Sequence, residues 1–162
     1  MEATIERALR ELIINEKNNF DFYCRAAEMV RDDRTRQVFE HLACGEIGYM
    51  HVFTTIYLGS EHGNDIKKLT KLPPDRTYPP YCALVDESSI NCHEQRALEI
   101  SLREVVACMK RYTSLAADYS NPRLCALFRR TLRKTYACYG IIHKEYLRVV
   151  GQLGQSQGYG YV

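Results

Sequence analysis

The chain has 162 residues, 46% of them hydrophobic, and 22 basic side chains against 20 acidic ones for a formal net charge of +2. That length suits one domain with a core of its own, and a charge so near neutral argues against global attraction to nucleic acid or an anionic membrane. No apolar run approaches the roughly 20 residues a membrane span needs, and the N-terminal MEATIERALRE reads as a charged amphipathic helix rather than a secretion signal, so a cytoplasmic protein is expected.

A first helix is predicted from about Ile5 to Arg31, with Ile5, Leu9, Leu12, Ile13, Glu16, Phe20, Tyr23, Ala27 and Val30 recurring at helical spacing. It should stop at Asp32-Asp33, where one carboxylate can cap the next helix. That second helix should reach about Tyr57 and turn Val38, Phe39, Leu42, Glu46, Tyr49 and Phe53 inward. Gly59 breaks it. Residues 60–88 hold Gly63, Asn64, Pro73, Pro74, Pro79 and Pro80 and read as a long crossover with one short helix near Asp65 to Leu69.

A third helix is predicted from Ser88 or Ser89 to about Tyr119, its seam made of Leu98, Ser101, Leu102, Val105, Cys108, Tyr112, Leu115 and Ala116. Asn121-Pro122 then marks a helix start, because the amide that proline lacks would have had no helical partner. The fourth helix should run to about Val150, burying Leu124, Leu127, Phe128, Thr135, Cys138, Ile142 and Tyr146. The Gly/Gln/Tyr-rich tail, residues 151–162, has no apolar period and should be a flexible extension of a folded domain covering 1–150.

The two helical pairs resemble each other. A shift of 89 residues lays Ala8 on Ala97, Leu9 on Leu98, Tyr23 on Tyr112, Ala27 on Ala116, Arg34 on Arg123 and Phe39 on Phe128, and Asp32-Asp33 on Asn121-Pro122 without a gap. Two tandem helical hairpins joined by one long crossover are the layout of an all-α, ferritin-like four-helix bundle.

At the motif level the chain resembles the rubrerythrin branch of the ferritin-like superfamily. Glu16 precedes Phe22-Tyr23 as a glutamate precedes Phe-Tyr in that family, and LACGEIGY, from Leu42 to Tyr49, stands where the family has Leu-Ala-x-x-Glu-x-x-His. The resemblance implies a bridging carboxylate at Glu46 and a histidine at the place held by Tyr49. His51 lies about 140° round the helix from Glu46 and off that face. In the second hairpin the implied Glu, Glu and His positions are Val105, Thr135 and Cys138, so two of the six implied ligands are present. Glu104, one residue away, is rotated by about 100° and does not replace the missing ligand. Peroxide reduction and ferroxidase activity, which the resemblance would imply, need the full ligand set, and the family's rubredoxin-like iron site has no C-x-x-C pair here.

Glu16 and Glu46 remain the candidate site, because a carboxylate in a core costs several kcal/mol unless it is protonated, paired or bound to a cation. Three arrangements satisfy them. They can share a proton or accept from the Tyr49, Thr135 or Tyr112 hydroxyls, with raised pKa values. An arginine or lysine from a neighbouring helix can neutralise them. Or they hold one metal ion, iron or manganese, with Tyr49 or Cys138 as a further ligand.

Other features carry less. Cys92-His93-Glu94 are adjacent on a helix and do not face one another, and His143 and Glu145 read as surface residues. Arg129 to Lys134, RRTLRK, reads as a solvated or partner-facing stripe, with no aromatic platform for nucleic acid. Seven scattered cysteines (24, 44, 82, 92, 108, 125 and 138) read mostly as reduced core residues, or else as intermolecular bridges in an oxidising assembly. Twelve tyrosines, with Tyr78, Tyr81, Tyr159 and Tyr161 outside the seam, suit adhesion. Spore coat proteins of the coat F type are similar in combining a ferritin-like bundle, degraded metal ligands and Gln/Tyr-rich ends. The expectation is a non-catalytic structural or interaction protein with no cofactor, engaging protein partners or itself, as in a homodimer, without nucleic acid or membrane.

Overall fold

The computed structural model describes residues 3–58, 65–86 and 93–157, and among them it is all-helical, with no strand. Six helices follow one another: α1 (Ala3–Met29), α2 (Asp33–Leu58), α3 (Asp65–Leu69), α4 (Pro79–Asp86), α5 (His93–Asp118) and α6 (Pro122–Gln157). They divide into two units, Met1–Ser88 and Ser89–Val162. No described helix is long and apolar enough to cross a membrane.

In the first unit α1 and α2 form a hairpin through residues 30–32. Asp32 is the cap: its Oδ1 accepts from the Thr35 amide at 2.8 Å and from the Thr35 hydroxyl at 3.0 Å, satisfying an amide that the helix leaves without a partner. The rings of Tyr23 and Phe39 stack across the hairpin at 6.2 Å, and Phe22 meets Tyr23 edge-on at 5.5 Å. Leu9, Leu12, Phe39, Leu42 and Phe53 complete the buried seam.

The second unit repeats this plan. Asn121 caps α6, its Oδ1 accepting from the Arg123 and Leu124 amides at 3.0 and 3.3 Å. Tyr119 packs on Phe128 at 5.4 Å. The starts of α2 and α6 (33 and 122) and the ends of α1 and α5 (29 and 118) are each 89 residues apart. Burial follows the same shift: Ala8, Leu9, Leu12, Tyr23, Phe39 and Phe53 are buried, and so are Ala97, Leu98, Ser101, Tyr112, Phe128 and Ile142.

Two differences from the sequence expectation stand out. The crossover holds a second helix, α4, which the prolines had concealed. Pro79 is its first residue, and Tyr78 caps it, its carbonyl accepting from the Cys82 amide at 3.0 Å. Helix α6 runs to Gln157 rather than stopping near Val150; Arg148 reaches forward one turn to the Gln152 side chain at 2.9 Å and supports the extra turns in spite of Gly151 and Gly154. The remainder of the expected flexible tail, 158–162, and the expected start of the third helix at Ser88 or Ser89 lie outside the described residues.

Candidate functional site

Glu16 lies two turns before Tyr23 on α1, and Glu46 two turns after Phe39 on α2. Because Tyr23 and Phe39 stack across an antiparallel hairpin, equal steps of about 10 Å away from that stack bring the two glutamates level with each other. Both are only 1% exposed. Tyr49, one turn after Glu46, is half-buried, with its ring against Phe53 at 6.1 Å. Glu16, Glu46 and Tyr49 each engage a neighbouring group.

The positions 89 residues on are buried too. Val105 and Thr135 are 4% and 6% exposed, and Cys138 is half-buried. The Thr135 hydroxyl donates to the Thr131 carbonyl at 2.9 Å, so its proton serves its own helix rather than a carboxylate. Among the described residues no group of three or more His, Cys, Asp or Glu side chains is placed to hold a metal ion. The donors present therefore do not fit the two-cation centre that the resemblance implies, which needs four carboxylates and two imidazoles.

A second polar cluster on α1, for which the sequence carries no signal, flanks Glu16 at Lys17, Asn19 and Asp21. Lys17 pairs with Asp21 within one helical turn, both nearly buried, and Lys17 Nζ also donates to the Leu72 carbonyl at 3.1 Å. The Tyr78 hydroxyl donates to Asn19 Oδ1 at 3.0 Å. These bonds pin residues 72–78 to α1, and Tyr78 is half-buried rather than free for adhesion. Burial pushes the Asp21 carboxyl above the ordinary aspartate range, with Lys17 working against it. Beside it, burial and then the negative charges of Asp21 and Glu28 push the Cys24 thiol up to about 11. Arg25, Glu28, Arg76, Tyr81, Cys82, Val85 and Asp86 line a groove of about 470 Å³ between α1 and α4. Arg25 and Glu28 are paired there at 3.0 Å.

Glu145 corrects the sequence reading. It is 3% exposed, and Arg148 grips it with Nε at 3.0 Å from both carboxylate oxygens and Nη2 at 2.5 Å from Oε1. Its spacing from Ile142 and Val149, three back and four on, already put it on the buried face. His143 is exposed and stacks on Tyr139 at 5.5 Å. The cysteines are less interior than expected: of the six described, only Cys108 is buried and Cys44 is exposed. Cys92 and the His93 side chain lie outside the described residues.

The class that these observations define is an all-helical protein built from two equivalent hairpins, one of which buries a pair of carboxylates. No family model, curated protein or solved structure matches the chain.

Proposed function

We propose that the chain is a non-catalytic, ferritin-like bundle of the rubrerythrin type that has lost its di-iron site and serves as a structural or interaction protein, in the manner of a spore coat component. The observation that supports this reading is the asymmetry of the repeat. Glu16 and Glu46 are buried in one hairpin, while Val105 and Thr135 occupy equally buried places in the other and bring no carboxylate. A lost active site leaves this pattern, because buried positions keep their packing role after their ligand role has gone. Protein partners or self-association into a homodimer then carry the function.

The level placement of two buried glutamates favours one second reading, a metal-binding protein in which Glu16, Glu46 and Tyr49 hold a single iron or manganese ion for redox or storage work. Metal analysis of protein purified without chelators decides between them. The first reading expects less than about half a transition metal per chain and no peroxidase or ferroxidase turnover, since the ligand set for that chemistry is incomplete. Stoichiometric iron or manganese that disappears in Glu46→Ala would establish the second.

A further inference from the structure

Charge is distributed unevenly along this nearly neutral chain. Helix α6 carries seven basic residues and one acid, Glu145, which is buried against Arg148, leaving 15 basic side chains against 19 acidic in the rest of the chain. At about 100° per residue, Arg129, Arg133, Tyr136, Gly140, Lys144 and Leu147 fall within an arc of about 80°, on the side of α6 away from buried Leu124, Thr131, Thr135 and Ile142. All six are exposed, Tyr136 and Leu147 by 58% and 57%. The stripe is about 27 Å long. The helix thus sets an aromatic ring among arginines that look, in the linear sequence, to have none beside them.

Three observations mark this stripe as a docking surface. Arg129, Arg133 and Lys144 have no hydrogen-bond or ion-pair partner among the described residues, and Arg129 and Arg133 repel across one turn. Gly140 falls in the middle of this stripe; as at Gly45, Gly48 and Gly151, a Cβ built there would meet nothing within 4 Å, and here the missing side chain leaves a notch between Tyr136 and Lys144 where a partner's backbone can approach. The internal repeat supplies a control. On α2, the positions 89 residues before Arg129, Arg133, Tyr136, Gly140 and Lys144 are Glu40, Cys44, Ile47, His51 and Thr55, with no lysine or arginine. The basic stripe belongs to α6 and is not what any outward helix face of this fold must carry.

We propose that the outer face of α6 docks an acidic amphipathic helix of a partner protein, an inference that rests on the interaction role proposed above. The partner's carboxylates would pair with Arg129, Arg133 and Lys144, and its apolar residues would cover Tyr136 and Leu147 across the Gly140 notch. Charge complementarity selects an acidic partner, and the rest of the stripe selects a peptide. A nucleic acid would use the arginines but neither Leu147 nor the notch. A bilayer would need the apolar side of α6, which is turned inward.

The test is selection from a displayed library of helix-biased peptides against the full chain, followed by fluorescence anisotropy with the enriched peptide. Enriched sequences should be rich in Asp and Glu, with Leu or aromatic residues at i, i+3 or i+4, and i+7. The pair Arg129→Glu with Arg133→Glu should weaken binding at least tenfold, and Gly140→Gln should do the same without adding charge, both variants retaining the helical circular dichroism of the parent. Enrichment without acidic bias, or peptide binding indifferent to these changes, overturns the proposal. So does tighter binding, through the same arginines, of a dT20 oligonucleotide or of phosphatidylserine vesicles. Metal content measured on the same preparation separates the two claims: stoichiometric metal with intact peptide binding defeats the non-catalytic reading alone, and metal-free protein without acidic-peptide binding defeats this one alone.

Discussion

Substituting Glu16→Val together with Glu46→Thr gives the first hairpin the residues that the second already carries at the same places, Val105 and Thr135. Both glutamates are 1% exposed, so each charged form has given up nearly all its hydration. Replacing buried ionic groups by well-packed residues of similar volume ranges from neutral to stabilising by about 1–4 kcal/mol, provided no buried cation is left behind. Against this, Val and Thr are β-branched and cost about 0.3–0.5 kcal/mol each in a helix relative to Glu. The expected net gain is about 1–2 kcal/mol, which for a chain of this size raises Tm by about 3–6 °C.

The assay is urea denaturation followed by circular dichroism, in which the midpoint should rise and the slope stay constant. A loss of more than about 2 kcal/mol would refute the reasoning, because it would place the glutamates in a cation-bearing network whose disruption strands a buried charge. Repeating the measurement with Fe(II) or Mn(II) adds a second criterion. A ligand that binds only the folded state stabilises it by mass action, so metal that raises the wild-type Tm and not the variant's would identify the pair as a working site.

Three further outcomes follow from local geometry. Asp32→Ala should cost about 1 kcal/mol, and Asn121→Ala somewhat less, in thermal or urea unfolding, since each removes a cap and only the first removes a charge from the helix start. The Asp21 carboxyl is raised in the folded state, so its stabilising contribution is present below the unfolded value near 3.8 and is lost as pH rises through the folded value. Asp21→Asn should therefore gain stability relative to wild type as pH rises through that window, a trend that titrated urea midpoints would show or deny. With its pKa near 11, Cys24 is about one part in a thousand thiolate at pH 8 and should react with iodoacetamide long after exposed Cys44, as read by peptide mass spectrometry.

Local signals were legible in the sequence and long-range covering was not. Asp32 and Asn121 revealed themselves as caps because a short polar side chain before a helix has few other uses. The same rule applies to Pro79-Pro80 at the start of α4: paired prolines inside a loop-like stretch read as breakers, although the first turn of a helix leaves its amides free and accommodates them. Lys17, Asn19 and Asp21 gave no comparable signal. Part of what covers them comes from Leu72 and Tyr78, more than fifty positions later, and no window along α1 contains that segment.

Burial of Glu16 and Glu46 was legible because they interrupt an apolar period, and that of Glu145 was equally so, three residues after Ile142 and four before Val149. The difference lies in the partner. Arg148 satisfies Glu145 from the next turn of its own helix, so this carboxylate is a local ion pair. Glu16 and Glu46 occupy level positions on two helices, where satisfaction of one bears on the other, and that coupling makes them the informative pair to perturb. The outer face of α6 applies the same test in reverse. Its arginines have no partner within the described fold, and features that cost stability without an internal return are the ones for which an external partner supplies the reason.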